Sequence, residues 1–288
     1  MPQPGLALRI VRFPLTLMLI GGAVLVGALS AASYLLRSLE PPRNSPWEAL
    51  AGLAMAAVVV LAYKAYKRWI ERARDTEFDL TGAPRELGLG LLAGFVLFSG
   101  MAGIVWLMGG LEVQGLRGTG QLWSMLLMAF VSGTFEEALF RGLIQRHMEA
   151  MVGTWGALAF TSGLFGLAHI FNPDATWWSS LAIALEAGIL LGAAWLLTRR
   201  LWLAVGIHAA WNFTQGWVFS IPVSGGDAPL GLLITRRIGP DWLTGGDFGL
   251  EASVVAMVVA TLAGLLMLRR AVQRHGTVPP MWQRQTNE

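Results

Sequence analysis

Met128-Ala-Phe-Val-Ser-Gly-Thr-Phe-Glu136-Glu137-Ala-Leu-Phe-Arg141-Gly142 lies within an apolar run, residues 122–147, that is long enough to cross a bilayer. A spanning helix needs ~20 mostly apolar residues. Each charge placed near mid-span costs ~2.5–3.5 kcal/mol on insertion scales, so three of them close together require compensation. Helix geometry supplies part of it. Glu137 and Arg141 are four apart, share a face and can pair. Glu136 lies about 100° round the helix and looks toward a different neighbour. One carboxylate is therefore neutralised by its own helix, and the other must be used elsewhere. Deprived of water, a carboxylate becomes a better proton acceptor near neutral pH. The alternative is a buried ion cluster that only holds helices together, a device that rarely adds stability.

Seven further runs of this kind flank it, giving eight expected spans at roughly 14–36, 47–66, 87–111, 122–147, 153–171, 177–198, 201–219 and 249–268. The first is read as a retained span, since its apolar stretch exceeds that of a signal peptide and no small-residue cleavage site follows. Of the 288 residues, 55% are hydrophobic and 14% charged, well below the ~25% charged residues of soluble domains. There is no cysteine, which excludes disulfides, thiolate metal sites and a cysteine nucleophile. The basic character belongs to loops between helices, so no nucleic-acid partner is expected.

The loops also set the orientation. With the N-terminus inside, the cytoplasmic segments hold Arg9, Arg12, Lys64, Lys67, Arg68, Arg72, Arg74, Arg85, Arg146, Arg199, Arg200, Arg269, Arg270, Arg274 and Arg284. The outer loops hold Arg37, Arg43, Arg117, Arg236 and Arg237. That asymmetry predicts an all-α, polytopic membrane protein of about eight helices with both termini cytoplasmic. Three segments are expected. Residues 1–119 carry helices one to three and a charged cytoplasmic loop, 67–86, with a helical extension and a turn at Thr81-Gly82-Ala83-Pro84. Residues 120–219 form the core, helices four to seven. Residues 220–288 hold a Gly-rich outer loop to about 248, the last span and a basic tail.

Other polar residues sit where lipid should be. Phe165 and His169 share a face at the end of the fifth span, and His208 and Asn212 share one in the seventh. A lone intramembrane His or Asn commonly serves helix packing. Two His, an Asn and an unpaired Glu on three separate spans instead suggest convergence on one water-filled cavity. Glu186 could line that cavity or be a packed structural group. His147 and His275, among basic residues at cytoplasmic ends, are expected to be solvated, and Glu251 to begin the last span near an interface. Depth is a difficulty. At ~1.5 Å per residue from the cytoplasmic ends, Glu136 lies ~16 Å deep, His208 ~10 Å and His169 ~24 Å. The gap closes if the fifth helix starts later than drawn, after Gly156, or if it tilts or breaks.

Glu-Glu-x-x-x-Arg (Glu136, Glu137, Arg141), Phe-x-x-x-His (Phe165, His169) and His-x-x-x-Asn (His208, Asn212), in this order, resemble the three motifs of the CPBP family. That family includes the type II CAAX prenyl endopeptidases and bacterial members linked to bacteriocin processing or immunity. The resemblance implies hydrolysis of a peptide bond at membrane depth. Carried over by position, Glu136 would be the general base activating water and His169 would help orient it. His208 and Asn212 would stabilise the oxyanion, with Glu137, Arg141 and Phe165 in support. No cofactor is required in this reading. The alternative is a zinc site with Glu136, His169 and His208 as ligands, although the His-Glu-x-x-His helix usual for such sites is missing. The expected partners are the lipid bilayer and a membrane-anchored protein or peptide substrate, prenylated or not, and the expected location is the cell (inner or plasma) membrane. Two competing functions remain: a non-catalytic scaffold or immunity protein of the same fold, and a transporter whose polar residues line a path.

Overall fold

The computed structural model describes residues 12–40 and 42–284. Arg9, assigned above to the cytoplasmic side, and the outermost residues of the first and third segments lie outside the described residues. The chain is mostly helical: α1 Pro14–Ser38, α2 Pro46–Ala65, α3 Ala83–Leu107, α4 Leu122–Glu137, α5 Arg146–Ala168, α6 Trp177–Ile183, α7 Ile189–Thr198, α8 Trp202–Phe213, α9 Asp241–Thr244 and α10 Val254–His275. Six helical runs are long and apolar enough to cross a membrane. One of these, Leu122–Phe171, runs for 50 residues and is broken at Gly153. α8 with its continuation to Val218 occupies the expected seventh position but is shorter than the six.

Small residues set the helix spacing. With no hydrophobic force between helices in lipid, close approach supplies the packing energy. On α3, Gly90 and Gly94 lie against the α8 backbone, and a Cβ on Gly90 would sit 2.9 Å from the Gly206 Cα. α4 is clamped in the same manner, by Gly52 of α2 against the Leu127 backbone and by Gly133 against Ala209 of α8. α8 thus runs through the centre, buried from Leu203 to Asn212, and α4 lies directly on it. Exposed apolar side chains such as Leu19, Leu61, Leu92 and Leu266 face outward along the spanning helices.

The break between the fourth and fifth spans falls at Gly153, with φ 76° and ψ 174°, and the fifth helix does not start after Gly156. That backbone region is essentially glycine-only. The C-terminal tail closes over the break: Thr154 N donates to Val278 O at 2.9 Å, and a Cβ on Gly153 would lie 2.7 Å from that same oxygen. Gly153→Ala is expected to lower stability by ~1–3 kcal/mol. A fall in unfolding temperature in detergent, followed by tryptophan fluorescence, is the check.

Gly153 also resolves the depth difficulty. Glu136 precedes it by seventeen residues and His169 follows it by sixteen, so each lies about 25 Å along its own arm of an antiparallel hairpin. A fourth span that ends at residue 147 places Glu136 too shallow, because the helix runs on to Gly153. α8 begins at a level further inside, because Leu201 N donates to Glu77 O and Glu77 meets Arg146 at 3.3 Å. Arg146 is already nearly two turns short of Gly153 on the fourth span's helical run.

Other expectations need correction. Residues 111–116 and the outer loop are not all helix end and irregular chain. β1 Leu111–Leu116 pairs antiparallel with β2 Leu233–Arg237 in a two-stranded ribbon, with a register shift between Val113 and Gly115. The charged loop starts with a π-helical turn, Tyr66–Glu71, and Lys67 and Glu77 are buried in it, paired to each other at 3.4 Å. His147 is buried and not solvated, its Nδ1 donating to Leu143 O at 2.8 Å. Glu251 is also buried, its carboxylate accepting from Ser224 N. His275 is exposed, as expected.

Candidate active site

The fourth span changes from α-helix to a π-helical turn, Ala138–Gln145, immediately after the paired glutamates. Single π turns of this kind recur at functional sites. Glu137 and Arg141 form the expected pair, with Arg141 Nη1 donating to Glu137 Oε1 at 2.8 Å and both side chains fully buried. A second π-helical turn, Ala184–Gly188, faces them, and Arg141 Nη2 donates to Ala187 O at 3.1 Å. Widening a helix to i→i+5 bonding frees a carbonyl from the ordinary ladder, and here the guanidinium takes it up. The Arg141 Cζ also stands 4.5 Å from the centre of the Phe165 ring. Phe165 in turn meets Phe140 edge-on at 4.9 Å and lies 4.7 Å from the His169 ring. Glu137, Arg141 and Phe165 thus form one packed unit under the polar residues.

The three motifs meet on that unit. His208 Nδ1 donates to Glu137 Oε1 at 2.9 Å, and its Nε2 points to the other glutamate, 3.9 Å from Glu136 Oε2. Glu137 is an acceptor held by Arg141, so it fixes the proton of His208 on Nδ1. His169 is fixed similarly, its Nδ1 donating to Phe165 O at 2.7 Å. In the neutral ring this leaves Nε2 as an acceptor. Asn212 Nδ2 donates to Ser132 Oγ at 3.1 Å, which sets the amide plane.

Glu136 differs from its neighbour. Its side chain is 25% exposed where that of Glu137 is fully buried, and among the described residues no Arg or Lys pairs with it, although the Oε2 atoms of both glutamates lack a hydrogen-bond partner. It lines a cleft of about 320 Å³ together with His169 and Asn212. The remaining walls are Met125, Met128 and Ser132 along α4, Asn172 after α5, and Val223–Pro229 of the outer loop. Apolar walls with a few convergent polar groups are typical of binding sites. Behind His169, His208 and Asn212 lies a second cavity of about 30 Å³, lined by Glu186 and Glu251. It has room for roughly one water. Glu186 therefore lines this small cavity behind the site and is not among the residues that line the Glu136 cleft.

Several lining residues escaped sequence reasoning. Ser132 lies one turn before Glu136 on the same face, a spacing that could have revealed it. Asn172, Ser224 and Asp227 come from loops and carry no periodic signal. Among the described residues no group of three or more His, Asp or Glu side chains, Glu136, His169 and His208 included, is gathered to hold a metal ion.

A family model described as Type II CAAX prenyl endopeptidase Rce1-like matches residues 118–214. All seven motif residues fall inside that segment. The match supports the resemblance to CAAX-type membrane proteases. Neither the curated proteins nor the solved structures contain a match.

Proposed function

We infer that this chain, whose residues 118–214 carry the Rce1-like CAAX endopeptidase sequence, is an intramembrane endopeptidase that hydrolyses a membrane-associated protein or peptide with a glutamate-activated water. The observation that carries this reading is the division of labour between adjacent glutamates. Glu137 Oε1 is held by both Arg141 and His208, whereas Glu136 has no cationic Arg or Lys beside it and opens on the cleft.

A water in the cleft donates one hydrogen to Glu136 and the other to His169 Nε2, leaving its oxygen lone pair free to attack. Attack forms the C–O bond, moves the water proton to Glu136 and places negative charge on the former carbonyl oxygen. Asn212 offers that oxygen its second N–H, and His208 offers Nε2–H when the ring carries both protons. Breaking the C–N bond then returns the proton to the leaving nitrogen. Donors held in place before charge develops cost no reorganisation in the reaction. Asn212→Ala is expected to lower kcat ~10²–10³-fold with KM little changed, the usual size for one oxyanion donor. Steady-state kinetics on a cleaved peptide would show it.

The test of the reading is cleavage of a quenched fluorescent library of membrane-anchored peptides by the purified protein, with and without a zinc chelator. Cleavage by the wild type that survives the chelator and is lost in Glu136→Gln supports it. Cleavage abolished by chelator and restored by zinc would replace it with the metalloprotease. Equal cleavage by both proteins would remove Glu136 from the chemistry. A scaffold has no need of an unpaired Glu136, and proteoliposome flux would be needed to revive a transporter.

A further inference from the structure

The cleft opens at one end of the bundle only. Its walls descend along α4 from Met125, near the helix start, to Glu136, about 16 Å deeper. Its rim is Asn172, beyond the end of α5, and the Val223–Pro229 segment that follows the seventh helix. These elements share an end with the β1–β2 ribbon, since Arg117 N donates to Leu232 O and Gln121 N to Leu230 O. Below Glu136 the way is filled. Phe140, Leu143 and Ile144 are buried. Further down, Arg146 closes the bundle with Glu71 at 2.5 Å and Glu77 at 3.3 Å.

The two ends differ sharply in basic residues. The blocked end carries the Lys64–Arg74 cluster, Arg85, Arg146, Arg199–Arg200 and Arg269–Arg274, and contacts across the fold confirm that these belong to one level. Arg199 pairs with Glu149, Arg200 with Glu86 at 3.0 Å, and Arg284 reaches Glu149 O at 3.2 Å. The open end carries Arg37, Arg43, Arg117, Arg236 and Arg237. Orientation in a membrane follows the count of Lys and Arg in short loops, not the net charge, and the richer side stays in the cytoplasm. The ion pairs at the blocked end therefore do not weaken the bias.

We propose that the cleft faces away from the cytoplasm and takes peptides presented from the outer side of the membrane. Its substrates are then exported or outer-leaflet peptides and membrane-protein segments, and not polypeptides that reach the membrane from the cytosol. The naming of a substrate rests on the endopeptidase reading; the direction of the cleft does not.

The natural absence of cysteine makes the test direct. Asp227→Cys, at the exposed cleft rim, and Ala73→Cys, exposed at the blocked end, are made singly and expressed in a bacterial host. A membrane-impermeant maleimide is applied to intact cells, and total reactivity is measured after solubilisation. Labelling of Asp227→Cys from outside, with Ala73→Cys reactive only after permeabilisation, is expected. The reverse pattern, or equal labelling of both sites in intact cells, would overturn the proposal. A quenched peptide given to right-side-out vesicles forms the second arm. Silence there together with outside labelling of Asp227→Cys would count against the protease and leave the direction of the cleft standing.

Discussion

Arg141→Met is expected to cost about 3–5 kcal/mol of stability, the penalty for removing one partner of a buried ion pair and stranding the other. The side chain has no exposed surface and holds three things at once: the Glu137 carboxylate at 2.8 Å, the Ala187 carbonyl at 3.1 Å and the Phe165 ring at 4.5 Å. Methionine fills much of the volume but leaves Glu137 charged, buried and bonded only to His208. A protein that expresses poorly, or unfolds far earlier in detergent, is the expected result. The double variant Arg141→Met with Glu137→Leu removes both charges, and replacing a whole buried pair by apolar groups is often neutral for stability. It should recover folding without recovering cleavage, because His208 loses the carboxylate that fixes its ring. Recovery of both would reduce the pair to a structural role.

Glu136→Gln is expected to lower cleavage ~10²–10⁴-fold, the usual contribution of a positioned general base. The change is nearly isosteric, and Glu136 makes no ion pair closer than the 3.9 Å approach of His208 Nε2. Stability should therefore stay close to that of the wild type, since partly exposed positions without a structural partner are generally tolerant. Peptide binding should also persist, because Met125, Met128 and the outer loop that line the cleft are untouched. A fall in kcat without a matching change in affinity would place the loss in the chemical step.

Much of this architecture is legible in the residues. Long apolar runs announce the helices, because a bilayer accepts few alternatives. The motif residues stand out because a charge or imidazole in such a run demands a reason. The Glu137–Arg141 pairing follows from a four-residue spacing alone. Depth was misjudged for one reason: no local pattern distinguishes Gly153 from the other glycines nearby, and only contact with the tail at Val278 shows why the break falls there. The β1–β2 ribbon was missed because its strands are short, carry a register shift, and lie more than a hundred residues apart. His147 looked solvated among arginines, yet Arg146 turns to Glu71 and leaves the imidazole packed on its own helix at Leu143 O. The cleft rim at Asn172 and Asp227 comes from irregular chain, where no periodicity betrays a shared destination.

The most direct measurement compares Glu136→Gln and Glu137→Gln in parallel, recording unfolding temperature and peptide cleavage on the same preparations. Adjacent in sequence and alike in chemistry, the two residues are assigned opposite tasks. Expected is a Glu136→Gln protein that unfolds near the wild-type temperature and cleaves ~10²–10⁴-fold more slowly, beside a Glu137→Gln protein that is clearly less stable. A Glu136→Gln protein that cleaves at the wild-type rate would contradict the assignment of the base.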